Sequence, residues 1–147
     1  MRRFRVAGDS MLPSLREGDV LLCRPARNRV ERGDVVVFPH PKRPWLRLVK
    51  RVVGLPGETV AIDMGEVIID GRPALDGWGQ GLTFPDGAWK VPPGHAFVLS
   101  DNRLATRDDS RHFGPVPVGD LARVWWQVRM GGGPSPGRKR GPSQSQG

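Results

Sequence analysis

The sequence predicts a mainly β domain of short antiparallel strands joined by irregular loops, and three observations lead there. Apolar residues come in short runs bounded by Gly, Pro, Asp and Asn, the punctuation of strands and turns. No stretch keeps a helical period for more than about two turns. The 20 glycines and 15 prolines among 147 residues supply turns and deplete the apolar fraction to 37%.

Taken in order, "FRVA" leads into a turn, "GDSMLPSL", from Gly8 to Leu15. "REGDVLLC" and "ERGDVVVF" then repeat one pattern, a charged turn ending in Gly-Asp followed by an apolar strand, and are expected to be neighbours. "WLRLVKRVV" is the next strand. "ETVAID" and "EVIIDG" flank Met64-Gly65 as a hairpin would. From Gly71 to Gly94 the composition predicts irregular structure, and "HAFVLSD" and "LARVWWQV" close the fold. Residues 1–130 form one domain on this reading. Residues 131–147, "GGGPSPGRKRGPSQSQG", hold nothing able to pack a core and are expected to be a disordered basic tail.

The formal charge of +8 invites nucleic acid, anionic membrane or acidic partners. Arginine is spread along the chain without a basic helix or a nucleic-acid motif, so no specific nucleic-acid partner is expected. Cys23, the single cysteine, follows Val20, Leu21 and Leu22 and reads as a packed thiol. His40, His95 and His112 are scattered, so neither metal ligation nor a Ser-His-Asp triad is expected, and no cofactor is implied. No apolar run approaches the roughly 18 residues that cross a bilayer, and "MRRFRVAGDS" lacks the apolar middle of a signal peptide.

Lys50 is the informative residue of the third apolar strand. Alternation puts Leu46, Leu48, Lys50 and Val52 on one face, and Arg47, Val49, Arg51 and Val53 on the other, so the lysine shares the more apolar side. A buried ammonium is disfavoured, and desolvation lowers its pKa toward a neutral amine, which is a base. The competing reading is a strand-edge lysine whose ammonium snorkels to water. A serine hydroxyl needs a base to become a nucleophile, and Ser10 in its tight turn is the candidate that such a lysine would activate.

"GDSMLPSLREGD", then "VKRVVGLPGE", then "SDNRLATRDDSRHFGPVPVGDL" together resemble the type I signal peptidases, Ser/Lys endopeptidases that remove leader peptides. The blocks run in the family's order and anchor the chain from about Gly8 to Trp126. The resemblance implies a signal-peptidase-like β-fold, Ser10 as nucleophile with its own N–H in the oxyanion hole, and Lys50 as general base. It further implies that Gly8 and Asp9 shape the turn that presents Ser10, with Met11 and Pro13 lining and stiffening it. Gly8 stands where many bacterial relatives carry a serine that completes the oxyanion hole. Arg51 would meet the acidic part of the third block, Asp109 and Arg111 would pair, and Asp101, Asn102 and Arg103 would shape the supporting loop. The family's lysine-bonding hydroxyl is assigned to Thr106, since the block carries one extra residue before Asp109.

The implied partner is a peptide or preprotein bound in extended form as an added strand, with small side chains at the first and third positions before the cut. Nine residues precede Ser10, where family members carry membrane helices, so the sequence as written predicts a cytoplasmic or peripherally membrane-bound protein. A helix ahead of Met1 would instead imply an anchored domain with its active site facing outward. Trp45, Trp78, Trp89, Trp125 and Trp126 are many for one domain, and either pack the core or seat it on lipid. Two other readings stay open: a maturation protease of the kind that trims nickel superoxide dismutase, and a non-catalytic basic binding module. The self-cleaving repressors share the Gly-Asp-Ser-Met turn but need a DNA-binding segment and an internal cleavage site ahead of the serine.

Overall fold

A computed structural model describes residues 1–129, so the expected tail lies outside the described residues. The described residues form eleven strands, β1 (Arg2–Arg5), β2 (Val20–Pro25), β3 (Val35–Pro39), β4 (Arg47–Gly54), β5 (Thr59–Asp63), β6 (Glu66–Ile69), β7 (Arg72–Pro73), β8 (Gly87–Lys90), β9 (His95–Leu99), β10 (Val116–Pro117) and β11 (Ala122–Val128), with one α-helical turn, α1 (Ser110–Phe113), and a 3-10 turn at Val118–Asp120. They make two sheets, ordered β1-β2-β11-β3-β4-β9-β10 and β7-β6-β5-β8, and every strand pair is antiparallel. The mainly β class is therefore correct.

The repeated Gly-Asp pattern is a repeated turn. Gly18 and Gly33 take φ of 92° and 95°, which glycine tolerates without a Cβ penalty. Asp19 and Asp34 accept the backbone N–H of Arg16 and Glu31, at 2.9 and 2.8 Å, closing each turn before its strand. The strands that follow are not neighbours, contrary to expectation. β11 lies between them, with Ala122 opposite both Pro25 of β2 and Val37 of β3. The C-terminal "LARVWWQV" run brings its own ladder groups to pair on both edges, which local pattern along the chain cannot reveal.

Met64 and Gly65 form the expected two-residue hairpin, Asp63 opposite Glu66, with φ of 50° and 88° as a type I′ turn requires. The Gly71–Gly94 stretch is irregular apart from β7 and β8. Three apolar clusters form the core. One joins Met11 and Leu15 to Cys23, Val37 and Val49; a second gathers Val36, Phe38, Val52 and Val98. The third joins Val53, Phe97 and Leu99 to Val60 and Ile62 of the smaller sheet. β4 touches all three, and the candidate site grows from it.

Candidate active site

Lys50 sits within β4 at 2% exposure, so its amine does not snorkel to water. Leu48 and Val52, its expected face-mates, pack in the second cluster. The opposite face is buried too, with Val49, Arg51 and Val53 all enclosed. Burial drives the Lys50 amine below its ordinary value; the charges of Asp109, Asp108 and Asp101 oppose that shift, while Arg111 adds to it.

The chain leaving β9 organises the surroundings one residue at a time. Lys50 Nζ donates to Ser100 Oγ at 3.0 Å. Ser100 Oγ–H in turn donates to Asp109 Oδ2 at 3.0 Å, and the Ser100 N–H reaches the same oxygen. Asp101, fully buried, pairs with Arg51 Nη2 at 2.6 Å and accepts Ser14 Oγ at 2.6 Å. Its N–H points at Met11 Sδ, 3.4 Å away. Asn102 donates its backbone N–H to the Ser10 carbonyl at 2.9 Å and its side-chain amide to the Asp9 carbonyl at 3.0 Å. Arg103 turns away and grips Asp76 through both Nη atoms, with Thr83 accepting a further bond. Residues 100, 101 and 102 thus tie down Lys50, Met11 and Ser10 from one short segment.

Asp109 caps α1 through the Arg111 N–H and pairs with the Arg111 side chain at 2.7 Å. Burial pushes its carboxyl up, but the Arg111 hydrogen bond and charge, with N–H donors from Ser100 and Arg111, outweigh burial and leave it below the usual range. Arg111 also donates to the carbonyls of Phe84, Arg103 and Thr106, fastening the 103–108 loop. The assignment of Thr106 to the lysine is corrected here. Its hydroxyl accepts the Asp108 N–H at 3.0 Å, while Ser100 meets Lys50. The register of β4 with β9 explains this: Arg51 lies opposite Leu99, which brings the next residue of β9's chain level with Lys50.

Sequence reasoning also passed over Ser14, Asp76 and Trp78. Ser14 Oγ accepts from Arg51 Nη2, and the Trp78 ring lies 5.2 Å from the Arg51 guanidinium carbon. Ser100 and Ser14 left a signal, since they lie in the "SDNR" and "GDSMLPSL" runs; Asp76 and Trp78 come from the irregular segment, where no period indicates direction.

Ser10 is half-buried in the turn after β1. Among the described residues, neither its hydroxyl nor its N–H has a hydrogen-bond partner, Lys50 included. Gly8 takes φ of 78°, which gives the glycine a backbone reason, and its N–H meets Glu17 at 3.3 Å. Two strand edges border the site. β1 pairs with β2 alone, and the Arg47–Lys50 half of β4 pairs with β3 but not with β9. Among the described residues no metal-ligating group of three or more side chains assembles.

An amine made less basic by burial and a serine hydroxyl without a partner, held from one segment beside open strand edges, form an arrangement that acyl transfer can use. Comparison with known proteins gives the family. Residues 1–125 match the family described as "Signal peptidase, peptidase S26". A signal peptidase I of Leptolyngbya laminosa is 37% identical, covering 89% of this chain and 72% of its own. Signal peptidase I V of Bacillus subtilis is 34% identical over 82% of this chain and 81% of its own. Mitochondrial inner membrane protease subunit 1 of Xenopus tropicalis is 32% identical over 81% of this chain and 66% of its own. A crystal structure of a signal peptidase I from Enterococcus faecalis superposes with a TM-score of 0.56 at 32% identity, covering 65% of this chain and 96% of the other. The chain belongs to the signal peptidase family.

Proposed function

We propose that this chain cleaves leader peptides from preproteins with Ser10 as nucleophile and Lys50 as general base. The observation that carries the dyad is the shared tether: Ser100 holds the amine and Asn102, two residues on, holds the Ser10 backbone. With its N–H directed to Ser100, a neutral Lys50 keeps a lone pair for the serine proton. Catalytic hydrogen bonds commonly close only around substrate, so a Ser10 hydroxyl without a partner is compatible with this role.

In the proposed reaction Lys50 takes the Ser10 proton as Oγ attacks the scissile carbonyl. The resulting oxyanion accepts the Ser10 N–H, which has no other partner among the described residues. Collapse breaks the C–N bond, and the lysine proton goes to the departing amine. Water, deprotonated by the same amine, then hydrolyses the acyl-serine and restores both side chains. The free edges of β1 and early β4 would pair with an extended substrate backbone, the usual way an edge recognises a peptide.

The loop between β3 and β4 exposes Trp45 and Leu46, at 80% and 40%, among Lys42, Arg43 and Arg47. An aromatic tip flanked by cations suits an anionic bilayer surface, and relatives named as inner membrane proteases support that setting. Sedimentation with anionic vesicles should fall for Trp45→Ser; undiminished binding would rule that loop out as the contact.

The first experiment is cleavage of a leader peptide ending in Ala-x-Ala by wild type, Ser10→Ala and Lys50→Met. Wild type should cut after the final alanine, with each variant slower by at least about a hundredfold and folded by circular dichroism. An active Lys50→Met protein would remove the dyad.

A further inference from the structure

A cavity of about 370 Å³ opens where β1 and β4 begin, lined by Met1 and Arg2 on one side and Arg47 on the other. Its floor includes Cys23, Val37 and Leu121, an apolar base beneath a charged rim. Arg2 lies opposite Cys23 in the β1–β2 ladder, and Arg47 opposite Pro39, two residues along the same face from Val37. Both guanidiniums act electrostatically on the Cys23 thiol, which burial nonetheless raises to about 11, so the floor stays uncharged. Among the described residues neither Arg2 nor Arg47 has a carboxylate partner. Asp120 is the single carboxylate of the lining, and Arg24, also in the lining, is stacked 4.6 Å over Trp125.

The cavity is lined by the first residues of both strands that have free edges, Arg2 of β1 and Arg47 of β4, so a peptide paired along those edges would reach it. Arg47 precedes Lys50 by three residues of β4, roughly 10 Å of extended chain. A side chain there would belong to a residue about three to five positions from the scissile bond. On the peptidase reading the free edges of β1 and early β4 hold the residues before the cut, which places that side chain on the same side.

We propose that this cavity is a specificity subsite in which Arg2 and Arg47 select a substrate carrying an acidic side chain about three to five residues before the cleavage site. The assignment rests on the peptidase reading above, and it identifies the substrate class more narrowly. Two uncompensated guanidiniums over an apolar floor favour a carboxylate on a short aliphatic stem. They disfavour lysine by like-charge repulsion. A lipid headgroup offers similar chemistry, but the cavity is concave and continuous with the strand edges that would hold the peptide.

The test separates binding from turnover. One parent peptide with small residues at the first and third positions before the cut is varied by moving a single Glu or Lys along it. Dissociation constants are read by fluorescence anisotropy on full-length Ser10→Ala at low and high salt. Glu should bind at least about tenfold tighter than Lys within the predicted window, and the gap should close outside it. Arg47→Met should weaken the preference and Arg47→Glu abolish it; Arg47 is exposed, so these variants should fold. Equal binding of both series, a preference without positional dependence, or one untouched by Arg47 substitution would overturn the subsite. So would loss of anionic-vesicle binding in Arg47→Met without any change for peptides, which assigns the arginines to lipid. Cleavage of the neutral parent by wild type tests the peptidase reading separately.

Discussion

At the scale of single residues, Lys50 is set by two opposed effects, of which burial is the larger. Burial strips water from the ammonium and lowers its pKa, while Asp109, Asp108 and Asp101 favour the charged form. Asp109 is committed to Arg111 and Ser100, so it cannot be altered without dismantling the site. Asp108 can, because its partner is the His40 ring, 3.0 Å away at Nε2, and the oxygen of an asparagine still accepts that bond. His40 Nδ1 already accepts the Lys42 N–H, which leaves Nε2 as the donor. Neutralising Asp108 removes a charge that raises the amine's pKa, so the neutral base persists to lower pH. The acid limb of kcat/KM against pH should therefore move down in Asp108→Asn relative to wild type. A limb that moves up, or stays in place, would show that Lys50 does not titrate there.

At the scale of elements, the segment leaving β9 does more than any strand to build the site, because consecutive residues face different partners. Ser100 is the member that adjusts chemistry without carrying the fold: its hydroxyl orients the lysine, while Asp101 closes a buried ion pair with Arg51. Ser100→Ala keeps the backbone N–H bond to Asp109 and removes only the hydroxyl. General-base catalysis contributes about 10²–10⁴-fold, and an unoriented base loses part of it, so kcat should drop by about tenfold to a hundredfold. Thr106→Ala should leave kcat unchanged, since that hydroxyl bonds its own loop. The reverse pattern would return the role to Thr106. The contrast shows where sequence reasoning stops. The turn at Ser10 and the placing of Lys50 on the apolar face were legible because a turn signature and strand alternation act within a few residues. The hydroxyl beside Lys50 depends on how β9 registers against β4, a pairing between residues about fifty positions apart.

At the scale of the molecule, the same division between local and distant information runs through the fold. The β class, the Met64-Gly65 hairpin and the repeated Gly-Asp turns follow from short-range backbone preferences. The insertion of β11 between β2 and β3, and the folding of the irregular segment onto Arg51 and Arg103, follow from long-range packing that no local pattern encodes. The two sheets pack together where β4 ends, and Gly54 there lies against Val60 of the smaller sheet. A Cβ there would lie 2.5 Å from Val60 Cγ2 and 2.9 Å from Phe97 Cβ, and the latter cannot swing aside as a flexible side-chain tip would. Gly54→Ala should thus destabilise by about 1–3 kcal/mol through overpacking. If the sheets unfold as one unit, amide exchange in β5 and β6 should accelerate together with that in β3 and β4, because the third cluster joins Val53 and Leu99 to Val60 and Ile62. Acceleration confined to β5–β8 would mean that the smaller sheet opens independently of the one that carries the lysine.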